Sequence, residues 1–397
     1  MIPALTRNCD RSTRCVSQIP AALHGATAPC SYPLPVNPAR HWALVERGLR
    51  RYSMQRSRRL LLCALVAALA LTACKNTGFL DSANPPVITK AGTWLTSQQL
   101  ADGSFEVGGF AGFETPDAIV AIAERAQTSS AWDTTKARNG VLAVTKNGKS
   151  ALDAMDDFAD GTLSAGQAAK LIVLVATPLG LDSLAFDPQG DGARNLVGVL
   201  NQGEKPDGSF GAFNATLYAA IAKRIRTGRV PTATLALIRN AQQANGGWNF
   251  SGDATGTDLD IDTTALALQA LVAAKVTPTD ADLVAGLQLL ADQQRVSGPW
   301  RSFGSNDPNS TATAIMAVTA AGFDPTNSCW RDTVRPALKG TAYPNPVDWL
   351  RTQQATDGHI TSPNDSFPPV NTFATTQSIE ALARGWLPVA WLAPRSC

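Results

Sequence analysis

Ile238–Phe250 reads IRNAQQANGGWNF: an apolar-polar run ending in glutamine, then a glycine turn, then an aromatic residue. The same pattern returns as AGTWLTSQQLADGSF from Ala91, LVGVLNQGEKPDGSF from Leu196, LQLLADQQRVSGPW from Leu287 and VDWLRTQQATDGHI from Val347. A degenerate copy, SALDAMDDFADGTL from Ser150, brings the number to six, spaced by about forty to sixty residues. Self-similarity at such a period marks a repeat architecture.

Each unit has two parts with different periodicity. The first, such as Ala281–Gln294 (ADLVAGLQLLADQQ), places apolar residues at helical spacing and leaves one polar face, which predicts an amphipathic helix. The second, such as Thr264–Ala274 (TALALQALVAA), and likewise 118–123 and 215–222, is apolar nearly all round and rich in alanine. A helix without a polar face is buried. Six hairpins of one half-exposed and one buried helix fit two concentric rings, and a closed array needs no capping repeats at its ends. The expected fold class is therefore all-α, a single (α/α)6 toroid with inner and outer helix rings, and about 320 residues are enough to bury its core.

The amino-terminal part lies outside this pattern. Met54 opens a second apparent start, MQRSRR, followed by LLLCALVAALALTA over 60–73, fourteen residues without a charge. A basic segment and a short apolar one form a signal peptide, too short for a permanent span. It ends in Leu71-Thr72-Ala73-Cys74, which looks like a bacterial lipobox with Cys74 as the lipidated residue. An ordinary signal peptide and a signal-anchor helix are the alternatives. The expected organisation is a mis-called or disordered extension over 1–53, a lipoprotein signal peptide over 54–73, a linker over 74–90, the toroid over 91–388 and a tail over 389–397. The expected location is the outer side of the cytoplasmic membrane or the envelope, held by the lipid.

Removal of 1–73 takes away ten arginines and two acids, so a whole-chain net charge of +2 becomes −6. Nucleic acid is therefore excluded as an expected partner. It also leaves Cys329 and Cys397 beside Cys74 among the seven cysteines. In an exported protein the first two are expected to form a disulfide, with two free thiols as the alternative.

The Q-x-x-x-G-x-W-like turns, with Asp260-Ile261-Asp262-Thr263-Thr264-Ala265, resemble the α/α-toroid superfamily over roughly 91–388. That superfamily includes squalene-hopene and other class II terpene cyclases, prenyltransferase β subunits and the toroid domain of cobalamin carriers. Class II cyclases protonate a polyprenyl chain with the middle Asp of a DxDDTA motif. The resemblance makes Asp260 and Asp262 the first two acids, with Asp262 as donor, while Thr263 stands where the third Asp belongs.

The repeat offers another role for Asp262. It precedes the second helix of its unit, where other units carry Asn214, Asn309, Asn371, Ser164 and Thr115-Pro116. All are residues that cap a helix amino terminus, and Asn cannot donate a carboxylic proton. Capping is thus the expected role of Asp262.

Other chemistries find less support. Asp156-Asp157-Phe158-Ala159-Asp160 matches the DDxxD of diphosphate-binding enzymes, yet it overlies QQLADG and QQATDG of sister repeats. Asp258, Asp260 and Asp262 begin like an EF-hand, but Thr263 replaces the needed Gly and Gln269 the bidentate Glu. An irregular Ca²⁺ site on Asp253, Asp258 and Asp260 stays open, and no other cofactor is implied. Zinc and Ser-His-Asp chemistry would both rest on His359, the sole histidine after residue 73, in a repeat turn. The turn aromatics Phe105, Phe210, Trp248 and Trp300 are candidates for holding a ligand at one mouth of the ring, with bracing of neighbouring repeats as the alternative.

Three functions fit. The expected one is a lipid-anchored binding or interaction module for a hydrophobic or corrin-like ligand, or for a protein. The others are a cyclase-like enzyme acting through Asp262 and a structural envelope component. Two-domain cyclases with a cavity between the domains, and the incomplete acid triad, favour the first.

Overall fold

Each repeat glycine sits where a side chain would strike the next repeat. Gly103, Gly208, Gly246, Gly298 and Gly358 all have positive φ, from +85° to +117°. A Cβ on Gly246 would lie 2.6 Å from the carbonyl oxygen of Ala285, and one on Gly358 2.5 Å from that of Lys90. The turn glutamines complete the joint. Gln242 Nε2 donates to the carbonyls of Gly246 (2.8 Å) and Asp282 (2.9 Å), closing its own turn and bonding the next repeat. Gln354 Nε2 does the same with Gly358 (3.1 Å) and Val87 (2.9 Å), so the last repeat is bonded to the first helix.

The structure is a computed structural model that describes residues 84–106, 110–127, 132–366, 370–384 and 395. Lys75–Cys397 forms one unit. Cys74, the expected signal peptide over 54–73, the expected extension over 1–53 and Cys397 fall outside the described residues. Cys329 is disulfide-bonded.

The chain runs α1 (Asn84–Ser97), α2 (Thr115–Arg125), α3 (Thr134–Leu142), α4 (Ala151–Asp160) and α5 (Ala165–Lys170), which passes into a π-helical stretch over Leu171–Ala176. It continues with α6 (Leu196–Gln202), α7 (Phe213–Thr227), α8 (Thr232–Asn240), α9 (Ile261–Ala273) and α10 (Ala281–Gln293). The last elements are α11 (Pro308–Ala320), α12 (Cys329–Val334), α13 (Pro346–Thr352) and α14 (Thr372–Ala383). Two-residue antiparallel hairpins, β1–β2 (Thr145–Lys146 with Lys149–Ser150) and β3–β4 (Arg301–Ser302 with Ser305–Asn306), make up the strands among the described residues. No helix among those residues is long and apolar enough to cross a membrane.

The apolar second helices are the buried ones: every residue of α11 is buried, as are eleven of the thirteen in α9. Packing runs from α2 to the π-helical stretch that continues α5, then from α5 to α7, α9, α11 and α14, and α14 packs back on α2. The amphipathic helices α6, α8, α10 and α13 each pack on the buried helix that precedes them, α5, α7, α9 and α11, and α13 also on α14, while α1 packs on α2 and α14 and α4 on α2. The helical region begins earlier than the repeat pattern suggested, because 84–90, expected as linker, belongs to α1. Asn84 is buried there, donating to the carbonyl of Leu382 (2.6 Å) and accepting from Arg351 Nε (2.8 Å).

Candidate functional site

A threonine near the start of five buried helices fixes the register of the repeats. The hydroxyls of Thr115, Thr216, Thr264, Thr311 and Thr375 accept the backbone N–H of Phe105, Phe210, Trp248, Trp300 and Ile360 at 2.9–3.1 Å. Two residues before each threonine stand Phe113, Asn214, Asp262, Asn309 and Phe373; two after it stand Asp117, Tyr218, Leu266, Thr313 and Gln377. All but Asn309 line one cavity of about 540 Å³, within the usual range for small-molecule sites. Phe110, Phe113 and Phe250 are exposed where it opens, and Phe113 packs against Phe373 with ring centroids 5.3 Å apart.

This register corrects the capping assignment. The N-cap of α9 is Asp260, whose Oδ1 accepts from the amides of Asp262 (3.0 Å) and Thr263 (3.2 Å) and whose Oδ2 accepts from Thr263 Oγ1 (2.8 Å). Asp307 has the same place in α11 and Ala212 in α7, so Asn309 and Asn214 are inside their helices. Asn371 holds the N-cap position of α14 without a side-chain cap bond, and α2 begins at Thr115 after Glu114. Of the expected caps, Ser164 alone caps with its side chain, in a capping box with Gln167.

Asp262 is thus freed to face the cavity. Its Oδ1 accepts a hydrogen bond from Thr313 Oγ1 on α11 at 2.8 Å. Burial, then the charge of Asp260 and that of Asp307, raise its pKa to about 7 against the opposing Thr313 bond. The carboxyl therefore holds its proton well above the ordinary carboxylate range. Thr263, which stands where the DxDDTA motif has its third acid, spends its hydroxyl on Asp260 rather than on Asp262.

The opposite wall carries a second polar group. Lys170, the last residue of α5 before its π-helical stretch, pairs with Asp117 Oδ2 at 2.8 Å and lies 5.0 Å from the Phe113 ring centroid. Beyond it, Glu380 and Glu124 are buried, and burial first, then neighbouring carboxylates, hold both far above the usual range. Tyr218 is likewise kept neutral by burial. Lys170 is thus paired with Asp117 beside two acids whose burial favours the protonated form.

The remaining candidates do not meet here. Trp248, Trp300 and Phe105 are fully buried and Phe210 nearly so, outside the cavity; the bracing role is the one they fill. Trp248 Nε1 donates to the Ile238 carbonyl (2.7 Å) and Trp300 Nε1 to that of Leu290 (2.8 Å). Asp253 and Asp258 are exposed, Asp253 turns its Oδ1 to Thr255, and Asp260 is used as a cap, so the three expected Ca²⁺ ligands do not converge. His359 bonds Asp357 (2.6 Å) and Thr361 (3.1 Å) within its own turn. Sequence reasoning missed Phe113, Tyr218, Phe250, Thr313 and Phe373; counting from the turn threonine rather than from the first Asx residue would have found four of them.

No protein-family model matches the sequence, and no curated protein does. Among solved structures, the type II terpene cyclase MstE from Scytonema is similar in fold: TM-score 0.52 at 14% identity, covering 76% of this chain and 97% of that one. A variant of the same cyclase in complex with geranylgeranyl dihydroxybenzoate, its substrate, matches at TM-score 0.52 and 13% identity, covering 76% and 96%. A cyclase with the merosterolic acid A product bound matches at 0.51 and 13%, again covering 76% and 96%. The chain shares the mostly helical fold of these terpene cyclases.

Proposed function

We propose that the chain is a six-hairpin (α/α)6 toroid whose axial cavity takes a polyprenyl chain and cyclises it by protonation from Asp262. The observation that carries this reading is a carboxyl that faces a largely apolar, aromatic-walled cavity and holds its proton near neutral pH. In the step envisaged, the Asp262 O–H proton adds to a terminal double bond and leaves a carbocation. Internal double bonds close rings onto that cation, and loss of a proton from the last cation gives a product isomeric with the substrate. The faces of Phe113, Phe373 and Tyr218 would stabilise the passing positive charge. Thr313 would steady the carboxylate left behind. That MstE binds geranylgeranyl dihydroxybenzoate supports a prenyl chain with a polar head as the substrate class.

Export and lipidation at Cys74 belong to the same proposal, since a lipid anchor would hold the cavity mouth near membrane-borne prenyl lipids. The reading of a pure binding module is the outcome to be distinguished. Incubation of the detergent-solubilised protein with geranylgeranyl dihydroxybenzoate, followed by chromatography and NMR, should yield an isomer with fewer olefinic protons. Substrate that is bound tightly and recovered unchanged would return the domain to the binding class.

A further inference from the structure

The DDFAD run on α4 brings one of its acids, Asp156, into a cluster outside the central cavity. Asp156 is 1% exposed, Asp187 half-buried and Asp191 exposed, and each offers a carboxylate oxygen within 4.8 Å of the other two. Among the described residues they are the one such group of three acidic or metal-ligating side chains. Asp156 comes from an outer helix, the other two from the connection between the π-helical stretch and α6.

The connection is shaped before any ligand arrives. Phe186 and Arg194 exchange backbone hydrogen bonds of 2.9 and 2.8 Å at its neck. Inside it, Asp187 Oδ1 accepts the amides of Gly190 (2.7 Å), Asp191 (3.0 Å) and Gly192 (3.4 Å). Gln189 docks the loop on α4: its amide donates to Asp156 Oδ2 (2.7 Å), and its Nε2 donates to the Asp153 carbonyl (3.1 Å) and to Asp157 Oδ1 (2.7 Å). The nearby cation, Lys149, serves Gln189 Oε1 (3.0 Å) and Asp157 (3.8 Å).

What this leaves is an unsatisfied carboxylate oxygen. Asp156 Oδ1 is buried and has no hydrogen-bond partner, while two further carboxylates face it. A buried acceptor without a partner is costly, more so when charged, and native structures seldom keep one without a reason. Three hard carboxylate oxygens, two of them on a glycine-containing loop, suit Ca²⁺ with its flexible coordination; Mg²⁺ demands a stricter octahedron. We propose that Asp156, Asp187 and Asp191 bind one Ca²⁺ ion, which ties the 187–192 loop to α4. The sequence signal is the run Asp187-Pro188-Gln189-Gly190-Asp191-Gly192, whose partner lies some thirty residues earlier on a helix.

The test is calorimetric titration of CaCl2 into the full chain after EDTA treatment, with thermal melts in parallel. One site and a rise in melting temperature with Ca²⁺ concentration are expected. Asp191→Asn, at an exposed position, should fold normally and lose most of the binding; Asp156→Asn should lose it entirely, and Asp253→Asn should change nothing. The proposal is overturned by absence of heat and of any melting shift at millimolar Ca²⁺, or by equal binding in Asp191→Asn. It is also overturned where Asp156→Asn stabilises the metal-free protein while Ca²⁺ adds nothing to the unsubstituted chain, since a shared proton would then fill the role assigned to the ion.

Discussion

Asp262→Asn should lower turnover of a prenyl substrate by about 10²–10⁴-fold, the usual worth of a positioned proton donor, with substrate affinity little changed. The same substitution should strengthen the fold at alkaline pH. A carboxyl raised from 3.8 to about 7 binds its proton more tightly in the folded state, so folding is most favoured below pH 3.8 and loses ground as pH climbs from there to about 7. Three pKa steps correspond to at most about 4 kcal/mol, which the neutral amide would escape. Denaturation of both proteins across pH should therefore show Asp262→Asn gaining on the unsubstituted chain up to pH 7 and holding that gain above it. A difference that does not vary with pH would mean that Asp262 is not a buried, protonated acid. The rate should fall about tenfold per pH unit above 7, as the donor ionises.

Trp248→Ala should cost about 3–5 kcal/mol of stability, the range for removing a large aromatic from a core. Trp248 is fully buried, and a Cβ on Gly286 would meet its Cζ3 at 3.0 Å, so the ring fills the joint between α9 and α10. Its loss would leave the Ile238 carbonyl without the indole bond as well. Urea denaturation should register the cost in full. By contrast Phe250→Ala, at a residue 66% exposed beside the cavity mouth, should leave stability nearly unchanged and weaken ligand binding. The reverse pattern would restore Trp248 to the ligand-holding role.

The repeats were legible because each joint is local: a glutamine, a glycine with positive φ and an aromatic within about ten residues specify one turn. Burial of the second helices was legible for the same reason, as composition alone removes their polar face. The register of the cap was not, because Asp260 and Asp262 are both acceptable cap residues and two positions apart; the backbone chose the first, since only that places Thr264 under the amide of Trp248. The cavity was harder still. Each buried helix contributes only one or two lining residues, and what makes Asp262 unusual is the approach of Thr313 and Asp307 from some fifty residues away. The acidic cluster on α4 was hidden for a similar reason, its two halves being joined by the docking of Gln189.

The central claim is that Asp262 delivers a proton to an apolar substrate in the cavity, and reaction in D2O addresses it most directly. Cyclisation of geranylgeranyl dihydroxybenzoate begun by Asp262, exchanged with solvent, should give a product one mass unit heavier than the substrate, with the deuterium at the carbon that was protonated. Asp262→Asn should give none. Product without deuterium, or deuterated product formed equally by Asp262→Asn, would contradict the account.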